Sequence, residues 1–490
     1  MWRYFSDGPY WFTLSLLAFD WVIRIGLGIR VIMRRNTVGY TLAWLAVILL
    51  VPLLGAVIYL LFGERRLGSR RAKRIEELRA PYQAWLHSLA EDFPCEDSGL
   101  QPAAVNLRHL ARGTVGIPAL PGNTLQLLEE QDAFFDSLIA DIDGAASSVH
   151  LQFYIWQAGG RVNDVVHALV RAAQRGVSCR VLVDDAGSAE FVKHGSFQQL
   201  LRAGVRIETM LDVGVLRGLF ERLDLRNHRK IAVIDGSIGY AGSQNMVDAR
   251  LFKQDENAGV WIDAMARMTG PAVEALQLTL LADWEFETFE GIDQMSERLD
   301  LRRNQPTGDT VVQVVPSGPG LPQSAIQELV LTAIYGARRE LILTTPYFIP
   351  DDAMRMALLS AAARGVDVTL VVPEKPDGRI VKLASQAYFE ELLEGGVKIA
   401  QYGDGLLHTK AITVDGDVAM FGSVNLDMRS FNLNFEISLL VYSGDFTSKV
   451  CDMQARYLKS SRMIELAEWR KRPITKRFLQ QLAQLLSPLL

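Results

Sequence analysis

A stretch reading HRKIAVIDG begins at His228, and one reading HTKAITVDG begins at His408, 180 positions later. Each joins His-x-Lys to Asp-Gly across four residues, and each continues to Gly-Ser-x-Asn. The paired residues are His228 and His408, Lys230 and Lys410, Asp235 and Asp415, Ser243 and Ser423, Asn245 and Asn425. None of the other five histidines (His87, His109, His150, His167, His194) has a lysine two places on. An imidazole, an ammonium, a hydroxyl and a carboxamide on one surface suit a phosphate. Lys, Ser and Asn donate to its non-bridging oxygens, and those bonds strengthen as charge develops. A neutral imidazole can attack phosphorus. Two such half-sites face one phosphate with two histidines. One attacks, and the other donates a proton to the departing oxygen and then acts as base towards the next alcohol.

Each imidazole needs a partner for its second nitrogen. Glu256 stands eleven residues after Asn245 and Glu436 eleven after Asn425, which makes them the candidates. A single His-x-Lys-x4-Asp would read as an ordinary surface strand. Two copies with the same Gly-Ser-x-Asn and the same Glu offset are hard to obtain by chance. A metal site is disfavoured, because a lysine beside each histidine repels a cation and no full ligand set is apparent. No cofactor is expected.

The elements around these residues follow from the local pattern. Asp235-Gly236 and Asp415-Gly416 sit between apolar runs, a hairpin signal. Centring the turn there sets Ile234 opposite Ser237, Lys230 opposite Ala241 and His228 opposite Ser243. Parity then puts His228, Lys230, Ser243 and Asn245 on one face, with Asp235 on the other as a turn residue. The second hairpin repeats this with His408, Lys410, Ser423, Asn425 and Asp415.

The repeat is wider than the motif. SSVHLQFYIW at 147–156 answers RELILTTPYFIPD at 339–351, and LLRAGVRIETM at 200–210 answers LLEGGVKIAQY at 392–402. Each half reads as strands alternating with amphipathic helices. That predicts an α/β fold of two similar lobes, each a mostly parallel sheet flanked by helices. The expected divisions are a membrane hairpin at 1–63, a basic linker and helix at 64–110, lobes at 111–292 and 311–462, a linker at 293–310, and a basic amphipathic helix at 463–490. The first lobe has about twelve extra residues within LDVGVLRGLFERLDLRN, by an alignment good to a few residues. A surface loop and a lip that meets lipid both fit them.

Charge is sharply partitioned. Of the net −5, residues 1–74 carry +8 and residues 463–490 carry +3, leaving the body at −16. So acidic a body excludes nucleic acid as a partner. The basic ends flank apolar segments, a membrane pattern. Val38–Phe62 holds no charge in 25 residues, long enough for a ~30 Å hydrocarbon core, and Pro52 can kink it. The segment before it carries Asp20 and Arg24 one turn apart, where they can pair as part of a first span or of an in-plane helix. Six basic residues follow the second span (Arg65, Arg66, Arg70, Arg71, Lys73, Arg74) against Arg34 and Arg35 before it, which places the lobes on the cytoplasmic side. At the other end, Phe478, Leu482, Leu485, Leu486 and Leu489 recur at helical spacing beside Lys476 and Arg477. A core-facing helix and a membrane-lying one both fit this pattern.

The doubled H-x-K-x4-D-x6-G-S-x-N resembles the phospholipase D superfamily. RNHRKIAVIDG, TTPYFIPD, GLLHTK, GSVNLDMRS and the basic-flanked hairpin ending YLLFGERRLG together resemble bacterial cardiolipin synthases, over nearly the whole chain. The resemblance implies catalytic motifs at His228, Lys230, Asp235 and at His408, Lys410, Asp415, with His228 the nucleophile, His408 the general acid/base and the lysines the phosphate clamps. It implies phosphatidyl transfer between two phosphatidylglycerols, release of glycerol, and a multi-pass protein of the bacterial inner membrane surrounded by anionic lipid. Hydrolysis of phospholipid through the same intermediate, and a silent lipid-binding scaffold, are the competing readings.

Overall fold

The computed structural model describes residues 8–34, 38–51, 53–64, 67–211, 222, 224–253, 259–290, 301, 303–322, 324–442 and 444–487. Contacts group the chain into two compact units: Met1–Arg70 with Val213–Leu225, and Arg71–Asp212 with Arg226–Leu490. The extra segment of the first lobe lies almost wholly outside the described residues.

The first unit contains helices α1 (Gly8–Met33), α2 (Val38–Leu50) and α3 (Leu54–Phe62). The charge-free span expected from Val38 to Phe62 is therefore two helices, Val38–Leu50 and Leu54–Phe62. Among the described residues no helix is both long and apolar enough to cross a membrane. The break is chemically repaired. In an unbroken helix the Leu53 N–H would bond Leu49 O. Here the Leu53 N–H donates to Asp20 Oδ1 at 3.1 Å, and Leu49 O accepts from Arg24 at 2.5 Å. Asp20 and Arg24 themselves pair at 2.6 Å and are buried. Large apolar side chains of α1 face outward instead, among them Trp11, Phe12, Val22 and Ile29.

The second unit is built on a 15-stranded sheet that runs through both lobes. From its outer edge the first lobe contributes Arg206–Met210, Ser178–Asp184, Ser148–Phe153, Ile231–Ile234, Ile238–Gly242, Met265–Thr269 and Leu120–Leu128. The order then mirrors itself in the second lobe: Thr310–Ser317, Glu436–Tyr442, Val418–Gly422, Ala411–Val414, Glu340–Thr344, Asp367–Pro373, Lys398–Tyr402 and Ser461–Met463. The expected mostly parallel sheet is corrected here. Only the βα-connected strands are parallel: Ser148–Phe153, Ser178–Asp184 and Arg206–Met210, and their counterparts from Glu340, Asp367 and Lys398. Each Asp-Gly hairpin inserts two antiparallel strands beside them, and the lobes join antiparallel between Leu120–Leu128 and Thr310–Ser317.

Each lobe has its own core. Val149, Leu151, Val181, Val183 and Ala232 pack with Val165 and Leu169 in the first, and Leu341, Leu343, Leu370 and Ile399 pack with Leu329 and Leu358 in the second. The helix Pro102–Val115 packs on the second lobe, and its Ala104, Leu107 and Ala111 are part of that lobe's core.

Candidate active site

The two Asp-Gly turns take up left-handed backbone, with φ of 50° at Asp235, 61° at Gly236, 55° at Asp415 and 75° at Gly416. Ser237 N closes the first turn on Ile234 O, and the ladder then pairs Ile234 with Ile238. The register thus runs one residue later than parity alone gives, in both hairpins. Both serine hydroxyls are hydrogen-bonded within the protein. Ser243 Oγ donates to Ala264 O at 3.3 Å and accepts from Ala264 N at 3.1 Å. Ser423 Oγ donates to Glu436 at 2.5 Å and accepts from Ile437 N.

The aspartates of the motif are structural. Asp235 accepts from the backbone N–H groups of Ala146, Ser147 and Ser148, and Asp415 from those of Arg338, Arg339 and Glu340. Each ties its hairpin turn to the start of the neighbouring strand. Burial works against ionisation at Asp235, but these N–H donors hold its carboxyl below the ordinary value. These contacts give both aspartates a positioning role at the turns.

The histidines are brought together by strands that cross between lobes. His228 N donates to Phe435 O and His408 N to Ile262 O, both at 2.8 Å. Leu406–Leu407 pairs in parallel with Trp261–Ile262. The residue after each acceptor supplies the carboxylate. His228 Nδ1 meets Glu436 Oε2 at 2.8 Å, and His408 Nδ1 meets Asp263 Oδ1 at 2.7 Å. Each imidazole is thus oriented by the opposite lobe.

Glu436 is a predicted partner, though it serves the first motif's histidine and not its own. Glu256, its predicted counterpart, lies outside the described residues, and the carboxylate at His408 is Asp263. The sheet register shows why the equal offset misled. Gly242 pairs with Met265 and Gly422 with Ser438, so two residues earlier Asp263 and Glu436 are equivalent. The first lobe has seven more residues between its asparagine and its carboxylate, 18 against 11. Aligning the apolar strands WIDAMARM and NFEISLLV would have found Asp263.

The rest of the site closes round these pairs. Lys230 and Lys410 are buried, and their ammonium groups donate to the carbonyls of His228 and His408 at 2.6 and 2.5 Å. Asn245 accepts from Ile155 N at 3.2 Å, which leaves its Nδ2 buried with no partner. Asn425 Oδ1 is likewise buried without one. Two aromatic rings missed by motif reading pack on the imidazoles: Tyr154 at 5.0 Å from His228 and Trp261 at 4.3 Å from His408. Among the described residues no His, Cys, Asp or Glu cluster could hold a metal ion.

Burial lowers both imidazoles to about 4; the carboxylates pull upward and the lysines push further down. Burial also lowers Lys410 to about 8 and takes Lys230 well below its ordinary value. Glu436 and Asp263 resist burial because the histidines and lysines beside them favour the charged form, and both stay below ordinary carboxyl values. At neutral pH the empty site therefore holds two neutral imidazoles. An anion seated between the lysines raises both imidazoles, so protonation accompanies binding. Sulfate, which does not itself titrate near neutrality, should bind at pH 6–7 with net proton uptake, measured by calorimetry in buffers of different ionisation enthalpy. The uptake should shrink in His408→Asn; uptake unchanged by that substitution would refute the assignment.

Residues 138–277 and 330–456 match the family model described as cardiolipin synthase, PLD-like domain, and residues 22–64 match a phospholipase D-nuclease N-terminal model. The chain is 42% identical over 479 residues to cardiolipin synthase A of Pectobacterium atrosepticum, spanning 97% of this chain and 98% of that one. Identity is also 42% to cardiolipin synthase A of Proteus mirabilis, over 98% of this chain and 99% of that protein. Among solved structures, a phosphatidylserine synthase of Haemophilus influenzae shares the fold at a TM-score of 0.59 and 14% identity, with 79% of this chain and 100% of that chain covered.

Proposed function

This chain belongs to the cardiolipin synthase family of phospholipase D-like proteins, and we propose that it transfers a phosphatidyl group from one phosphatidylglycerol to another through a phosphohistidine on His228. The observation that carries the mechanism is the crossed pairing of His228 with Glu436 and His408 with Asp263. With Nδ1 engaged, each imidazole turns Nε2 to the phosphate. His228 Nε2 forms a bond to phosphorus as the bond to the glycerol oxygen breaks, and His408 delivers a proton to that oxygen. Glycerol leaves. A hydroxyl of the second phosphatidylglycerol then gives its proton to His408 and attacks phosphorus, and the P–N bond to His228 breaks. Lys230, Lys410, Asn245 and Asn425 hold the non-bridging oxygens throughout. Placing the nucleophile in the first motif rests on the family resemblance, since the two half-sites are near mirror images.

A membrane setting supports the same reading. In the first unit the buried residues include Asp20 and Arg24, while Trp11, Phe12 and Val22 face outward, the polarity expected of helices in lipid. We place this unit in the bacterial inner membrane, with the catalytic lobes on the cytoplasmic side.

Incubating the full-length protein with labelled phosphatidylglycerol and separating the products tests the function. Cardiolipin and glycerol in equal amounts are expected. Phosphatidic acid as the main product would replace transfer by hydrolysis.

A further inference from the structure

The helix Ile474–Gln484 is packed with its polarity reversed. Its buried positions are Gln480, 1% exposed, and Ala483, 6% exposed. Gln480 Nε2 donates to Gln386 Oε1 of the helix Arg379–Ala387 at 2.9 Å, inside the contact. Its large apolar side chains point away from the protein: Ile474 is 81% exposed, Phe478 65%, Leu482 49% and, just past the helix end, Leu485 75%. Spacings of four, four and three residues place these on a single stripe. Leu479 and Leu486, 49% and 42% exposed, widen it. A helix ordinarily buries its apolar stripe and exposes its amides; this one does the opposite, and so is built for an apolar surrounding.

Two occupants could supply that surrounding, a bilayer and a second copy of the chain. Charge separates them. Lys471, Lys476 and Arg477 are all exposed and flank the stripe. Twofold pairing would present the same surface on both sides and set these cations against each other. Lipid phosphates would neutralise them instead. Arg472 and Arg477 are held near Glu390, at 2.6 and 3.6 Å, which ties the basic start of the helix to the second lobe.

We infer that the helix Ile474–Gln484 lies in the headgroup layer of an anionic bilayer, with Ile474, Phe478, Leu482 and Leu485 in the acyl region, as a second membrane contact made by the catalytic unit itself. The choice of an anionic lipid rests on the phosphatidylglycerol reading, but the stripe's need for apolar cover does not. Helices of this kind sink about 5–10 Å into the boundary between headgroups and chains.

The test uses the full chain in vesicles of phosphatidylcholine and phosphatidylglycerol. Cys95 and Cys451 are replaced by serine, Cys179 is buried and is left in place, and a bimane label is placed on the exposed thiol introduced by Leu485→Cys. The label should emit at shorter wavelength in vesicles than in detergent-free buffer controls of the labelled peptide, and brominated acyl chains should quench it. Independently, the double substitution Phe478→Glu, Leu485→Glu should raise KM for phosphatidylglycerol in bilayers about tenfold or more, the scale set by withdrawing one large apolar side chain from lipid. Activity on the same lipid in micelles should be almost unchanged. A label that stays in water and escapes lipid quenching overturns the inference, and so does efficient disulfide formation between copies at Leu485→Cys without lipid quenching. Quenching does not depend on turnover, so a protein that makes no cardiolipin yet is quenched refutes the proposed reaction and leaves this contact standing.

Discussion

Replacing His228 by alanine is expected to abolish both turnover and the covalent phospholipid adduct. His228 is buried, oriented by Glu436 at 2.8 Å, and covered by the Tyr154 ring. No other imidazole is equivalently placed to attack from its side of the phosphate. Losses on removing a covalent nucleophile run to the order of 10⁶-fold. His408→Ala removes proton transfer instead, an effect of about 10²- to 10⁴-fold, and should leave a slow enzyme in which some adduct still forms. Acid quenching with radiolabelled phosphatidylglycerol, followed by peptide mapping, separates the two. Label should appear on the His228 peptide in the native protein and in His408→Ala. Label on the His408 peptide, or label persisting in His228→Ala, would exchange the two roles.

The second large effect concerns the crossed carboxylates. Glu436→Gln keeps the shape of the side chain but removes the charge that fixes the His228 tautomer. Asp263→Asn does the same to His408. Where a buried aspartate orients a catalytic histidine in a serine protease, that kind of change lowers kcat about 10⁴-fold, and 10²- to 10⁴-fold is the expectation here. The diagnostic is which step suffers. Glu436 belongs to the second lobe, yet its loss should slow adduct formation at the first lobe's histidine. Asp263 belongs to the first lobe, and its loss should mimic His408→Ala. Single-turnover measurement of adduct rise and decay distinguishes them. If each carboxylate's loss instead impaired the histidine of its own lobe, the crossed geometry would not be the working one.

The chemistry of this site was written in the sequence because it is carried by residue types at fixed spacing in duplicate. His228 and His408, with Lys230 and Lys410, lie beside the crossed carboxylates Glu436 and Asp263. The lobes were legible as well, since each repeats the same apolar strands. What escaped was set by pairing between distant segments. The one-residue longer hairpin shifts the pairing beside Ser243 and Ser423, whose hydroxyls bond Ala264 and Glu436, and no local signal counts that residue. Asp263 was hidden by seven inserted residues that an offset cannot see. The mostly parallel sheet was overestimated because an Asp-Gly turn announces two antiparallel strands without saying where in the sheet they dock. Tyr154 and Trp261 belong to apolar runs that look like core, and only the fold lays their rings on the imidazoles.

The repaired break between α2 and α3 bears on how the first unit holds together. A buried Asp or Arg is costly unless it is paired, and Asp20 and Arg24 pair with each other. The first hydrophobic segment carries both, and the second arrives with a severed backbone bond. Neither satisfies all of its polar groups alone. Each holds what the other lacks, because Asp20 takes the Leu53 N–H and Arg24 takes the Leu49 carbonyl. The three helices therefore stand or fall together: loss of either side chain would reopen the gap between Leu50 and Leu54.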